Sequence, residues 1–315
     1  MVSCRLEKTT WRILFLFCLL VLLSGCAFFQ RVSMPPLPEN APAGFELDAV
    51  PFYPQAQYQC GPATLAMALT WSGLPITPDE LKAQVYTPAR KGSLQLAMVG
   101  ATRRHGKIAY EINDPQVLFP QIAAGHPVIV LQNLGLSWMP VWHYALVIGY
   151  DTAAGDVILR SGTTQRKVMS YGLFDKTWAR SNHWGLIVLA PDRIPAKANE
   201  VAYLTAVVGL EKARRFQAAV IGYRTALTRW PASLNARMGL GNSYYALGDF
   251  KNAEQAFREA TELHPRAAAA YNNLAYALLG QGRKQEALVA AQHAVALGGP
   301  LEAEFEKTLQ EIRDY

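Results

Sequence analysis

The sequence predicts an α+β domain followed by an all-α array of helical repeats. Three observations carry this. Helix-start signals cluster before about residue 105, and apolar strand-like runs follow to about residue 190, the order of an α+β domain. After Pro191-Asp192-Arg193-Ile194-Pro195 the strand pattern ends and the chain reads as helix. From there on, small residues recur at a fixed spacing. Composition agrees with a folded chain. Of 315 residues, 51% are hydrophobic and 17% charged, which excludes extensive disorder. A net charge of +6, with no long run of like charges, argues against a nucleic-acid partner.

The N-terminus reads as a targeting segment. Arg5, Lys8 and Arg12 precede the apolar run Ile13–Leu23, which is too short for a comfortable membrane span and the right length for a signal sequence. Leu23-Ser24-Gly25-Cys26 follows and resembles the bacterial lipobox. The resemblance implies a signal peptide over residues 1–25, a lipid (palmitate-type) anchor on Cys26 and, with Ala27 next, an outer-membrane address facing the periplasm. Residues 26–46 are proline-rich and read as a linker.

The α+β domain is expected over residues 47–191. Cys60-Gly61-Pro62 opens a helix that Gly73 closes. Thr77-Pro78-Asp79-Glu80 is a capping box for a second, ending near Val85. Ser93 is expected to cap a third, Leu94 to Arg104, with Gly106 past its end. Strands are expected at 107–111, 127–131, 143–150, 157–160 and 185–189, with a further helix at 114–124. The Asp151–Asp156 loop joins two of the strands as a hairpin.

Pro231 and Pro265 stand 34 residues apart, as do Ala219, Ala253 and Ala287, and Ala226, Ala260 and Ala294. Together with Leu240-Gly241, Tyr244 and Phe257, this order resembles tetratricopeptide repeats. The resemblance implies a solenoid of three repeats plus a capping helix over residues 198–315, with a groove for a protein partner.

With Cys4, Cys18 and Cys26 assigned to the targeting segment, Cys60 is the one thiol left in the mature chain. An unpaired thiol in an oxidising compartment is either inert or a nucleophile. Cys60 opens a helix, where backbone N–H groups and the dipole favour a thiolate. Gln55, five residues earlier, supplies an amide suited to an oxyanion. A thiol nucleophile needs a base. His143 opens an apolar strand and is the strongest candidate, with His183 as its rival.

Gln55 to Ala63, Gly125 to Val130 and His143 to Asp151 together resemble the bacteriocin-processing (double-glycine leader) cysteine peptidases. That resemblance implies a papain-like fold, a peptide or protein substrate, Cys60 as nucleophile, His143 as general base and acid, and Gln55 as oxyanion donor. It also implies an Asp at the end of the strand after the histidine, where this chain has Ser161; Asp151 and Asp175 are the other candidates to orient His143. Two alternatives stand beside this reading. One is a peptidase-like scaffold of weak or no activity, which Ser161 favours. The other is a cell-wall cysteine hydrolase, which Gln59-Cys60-Gly61-Pro62 fits poorly. The sequence contains no metal-ligand cluster and no cofactor motif, so neither metal nor cofactor is expected.

Overall fold

The computed structural model describes residues 33–55 and 58–315. The expected signal segment, Cys26 and most of the expected linker lie outside the described residues. Residues 35–315 form one compact unit.

A seven-stranded antiparallel sheet organises the first part. Its strands are β1 (Gly44–Glu46), β4 (Ile108–Ile112), β5 (Val128–Asn133), β6 (Trp142–Asp151), β7 (Asp156–Ser161), β8 (Thr164–Ser170) and β9 (Gly185–Leu189). The order is β4-β9-β5-β6-β7-β8, with β1 paired to the far end of β6. A small hairpin, β2 (Tyr86–Thr87) with β3 (Gly92–Ser93), stands apart. β1 takes the last three residues expected as linker. Phe45 packs on the core, and Gly149, which pairs with Glu46, leaves no room for a side chain, its Cβ position lying 2.7 Å from the Phe45 carbonyl.

The helices of this part are α1 (Cys60–Trp71), α2 (Pro78–Val85), α3 (Gln95–Arg104), α4 (Leu118–Ala123) and α5 (Tyr171–Trp178). α1 lies on one face of the sheet. Its Leu65, Met67 and Leu69 are fully buried and share a core with Ile129, Tyr144, Leu146 and Ile148. Each such side chain contributes roughly 2 kcal/mol through burial. α2 starts with the expected box, the Thr77 N–H donating to Glu80 Oε2 at 2.8 Å. α3 starts differently from expectation. Ser93 belongs to β3 and caps nothing; the first helical residue is Gln95, after an uncapped Leu94. The expected 114–124 helix is a 3-10 turn at Pro115–Val117 followed by α4, because Asp114 caps the turn and not the helix.

The second part is seven helices, three consecutive pairs and a last one: α6 (Glu200–Lys212), α7 (Phe216–Arg229), α8 (Leu234–Ala246), α9 (Phe250–Leu263), α10 (Ala268–Leu279), α11 (Lys284–Leu297) and α12 (Glu302–Asp314). Ala219, Ala253 and Ala287, equivalent in the repeat, are all fully buried. So are Ala226, Ala260 and Ala294, because these small residues let the paired helices touch. α6 also packs on the edge strand β4. The connection is braced by Tyr203 Oη, which donates to the Arg193 carbonyl at 3.1 Å, and by Gln121 Oε1, which accepts from the Ala196 N–H at 3.0 Å.

Candidate functional site

The first residue of α1 and the start of β6 meet at the rim of the sheet. Between them a cleft of about 960 Å³ opens, lined by Cys60, His143, Tyr144, Gln55 and Gly162, with β3 and the loop before β6 as further walls. The sequence predicted Cys60, His143 and Gln55 from separate stretches, and the fold brings all three to this cleft.

Cys60 is half-buried and is the free cysteine among the described residues. Burial raises its pKa. The backbone N–H groups of Tyr144, Gly61 and Cys60 itself are directed at the sulfur and pull in the opposite direction without cancelling the rise. This corrects the sequence expectation of a thiolate favoured by the helix start. Desolvation outweighs the helix end, so the resting form at neutral pH is the thiol. The Tyr144 contact also places the sulfur beside the peptide group joining His143 to Tyr144.

His143 shows the matching effect. Burial, with Lys167 adding like-charge repulsion, lowers its pKa to about 4. Thiol and imidazole therefore rest as a neutral pair. His143 Nε2 lies 2.9 Å from Ser161 Oγ. In the tautomer where Nε2–H donates to that oxygen, Nδ1 carries the lone pair available to a proton donor. The register explains the meeting. Leu146 pairs with Arg160 across β6 and β7, so Ser161 faces the strand mouth that holds His143.

The other two candidates for the orienting role lie elsewhere. Asp151 ends the same strand eight residues on, roughly 26 Å away at strand rise. Its Oδ1 accepts the N–H groups of Ala153 and Ala154. Asp175 pairs with His183, Nε2 to Oδ1 at 3.0 Å, so the rival histidine and the rival aspartate occupy each other.

Gln55 is buried, and its side chain is committed at both ends. Oε1 accepts the Gly162 N–H at 3.1 Å, and Nε2 donates to Thr64 Oγ1 at 3.1 Å. Thr64 in turn donates to the Tyr144 carbonyl at 3.4 Å. This chain ties α1 to the β6 mouth and to the turn after β7. Nε2 makes no other hydrogen bond among the described residues. Arg160, itself buried, anchors the same segment by donating to the carbonyls of Asp48 and Val50.

Sequence reasoning missed β3. A side chain on Gly61 would come within 2.2 Å of Ser93 Oγ, so glycine is what lets the hairpin cross the helix start. The Gly-Pro after Cys60 was the available signal. The β3 wall itself had none, because two residues of strand leave no periodicity to read. Among the described residues no cluster of His, Cys, Asp or Glu is arranged to hold a metal ion.

Residues 47–184 match the Peptidase_C39 like family, and residues 204–260 and 238–300 match the tetratricopeptide repeat family. No curated protein matches the chain. Among solved structures, a candidate C39-like peptidase from Bacillus anthracis is 16% identical, with 46% of this chain and 97% of that one covered at a TM-score of 0.40. The first tetratricopeptide domain of human RPAP3 is 18% identical over 36% of this chain and 90% of its own, TM-score 0.35. The Yersinia enterocolitica type III secretion translocator chaperone SycD is 15% identical over 37% and 87%, TM-score 0.35. The chain thus joins a domain of the C39-like peptidase family to a C-terminal tetratricopeptide-repeat array.

Proposed function

We propose that this protein is a cysteine peptidase in which Cys60 attacks and His143 moves the proton. The observation that carries the reading is the shared cleft, with the sulfur held against the Tyr144 N–H and His143 fixed through Ser161. The sulfur–carbon bond forms as the thiol proton passes to the imidazole and the carbonyl electron pair moves to oxygen. The remaining Gln55 amide hydrogen is the donor for that oxyanion. Collapse breaks the carbon–nitrogen bond, the imidazolium protonates the departing amine, and water activated by His143 releases the acyl group. The repeat array holds a protein partner or the body of a protein substrate, and the Cys26 lipid keeps the molecule at the periplasmic face of the outer membrane.

The test is terminus profiling of a complex peptide mixture. New peptide termini that appear with the wild-type chain and vanish with Cys60→Ala support the reading. Identical termini from both contradict it. One observation favours a second reading, a scaffold of low activity: Ser161 in place of a carboxylate leaves no charge to stabilise the imidazolium. The anchor has its own check. Cys26→Ala is expected to move the protein from the membrane fraction to the soluble one.

A further inference from the structure

We infer that the cleft selects an acidic peptide, recognising a carboxylate of that peptide. The inference rests on the reading of this cleft as a peptide site and adds to it the class of peptide. The cleft carries a charge imbalance. The charged side chains lining the cleft are Arg90 and Lys91, and among the described residues no Asp or Glu lines it. Both cations are exposed. Neither makes an ion pair within the described residues, whereas Arg166, Arg258 and Arg283 each meet a glutamate. Lys91 is held in place in two ways. Its backbone is left-handed, at φ +48°, and its ammonium stands 6.0 Å from the centre of the Tyr58 ring, another cleft residue. A third cation, Lys167, approaches His143 from β8.

The remaining wall is apolar and open. Leu94, Val141 and Trp142 are each about half exposed in the same cleft. Such a surface has apolar area for side chains and two free cations, with nothing anionic to repel a carboxylate. A basic peptide would gain no partner there and would meet like charge. The carboxylate comes either from an Asp or Glu side chain or from a free chain end.

The experiment uses the full chain with Cys60→Ala, so that binding is read without turnover. The probes are fluorescein-labelled decapeptides of Leu, Phe and Gly carrying two Glu, two Gln or two Lys, each with a free or an amidated C-terminus. Fluorescence anisotropy at low salt is expected to show the amidated Glu peptide binding roughly tenfold tighter than its Gln counterpart, the scale of two exposed charge contacts. That preference should fall at 0.5 M salt and disappear when Arg90→Gln and Lys91→Gln are added. A preference for the free over the amidated Gln peptide supports the same inference with the chain end as source. Equal affinities across the series, tighter binding of the Lys peptide, or failure of the Glu peptides to bind overturn it. Capture by phosphatidylglycerol vesicles without any difference among the peptides overturns it too and assigns the cations to a lipid surface. The salt titration needs neither the Arg90 nor the Lys91 substitution, so misfolding of that double variant cannot hide the answer. Selective Glu-peptide binding together with unchanged termini in the profiling experiment would sink the peptidase reading and leave this inference standing.

Discussion

Ser161 is the side chain that the His143 ring meets in the candidate site. A hydroxyl holds the His143 ring but does not offset the charge of an imidazolium, and burial with Lys167 already pushes that pKa to about 4. Ser161→Asp places a carboxylate at that spot. A neighbouring opposite charge raises a histidine pKa by about 1–3 units. The variant is therefore expected to react with iodoacetamide at pH 7 about tenfold faster than wild type, because a protonated His143 in turn favours the thiolate. An unchanged rate would show that Ser161 and Cys60 do not communicate through the ring. Stability responds as well. The folded pKa of His143 lies below the ordinary value of about 6.5, so the unfolded chain takes up this proton first. Stability should drop as pH falls from about 6.5 toward 4, and His143→Gln should flatten that part of the melting-temperature profile.

At the scale of elements, the helices that announced themselves carry local chemistry. The Thr77–Glu80 box and the buried alanines of the repeats were legible because a cap or a 34-residue period lies within a short stretch. β8 and α5 were not. β8 is an edge strand whose residues Thr164 to Arg166 are all exposed, so it lacks an apolar face to mark it. The misplaced Ser93 cap has a related cause. Pairing of Gly92 with Thr87 claims that segment for a hairpin, and the competing strand is invisible in the local sequence. The repeat helices show packing overruling propensity. Ala is a better helix former than Gly by about 1 kcal/mol. Yet a side chain on Gly241 of α8 would stand 2.4 Å from the buried Phe257 ring of α9. Gly241→Ala is therefore expected to destabilise the array by about 1–3 kcal/mol, the usual cost of overpacking, read as a lower denaturation midpoint. A rise would contradict the packing described.

For the whole molecule, the junction between sheet and repeats matters most. α6 opens the repeat array and also covers the edge strand β4, where Ile108, Ala109 and Ile112 are buried. Gly222 of α7 sits against Val207 and Ile108, so no side chain separates the layers. A chain ending at Lys197 would bare the apolar side chains of β4 that this packing covers, an exposed patch prone to aggregation. It is expected to melt well below the full chain or to aggregate on concentration, and equal stability would mean that the repeats are an independent appendage. The sequence exposed the order of the two parts and the cleft residues Cys60, His143 and Gln55. It did not expose their protonation. The neutral pair follows from burial, and burial is set by strands and helices scattered along the chain.

In the proposed reaction His143 acts as base toward a neutral Cys60. Acylation of Cys60 by a p-nitrophenyl peptide ester, followed by intact-protein mass spectrometry from pH 4 to 9, tests this most directly. The wild-type rate should rise as His143 loses its proton near pH 4 and then level off. His143→Ala should be about a hundredfold slower at pH 7, the low end of general-base catalysis, and should accelerate only as the thiol itself ionises. Equal rates in the two proteins, rising together only at alkaline pH, would contradict it.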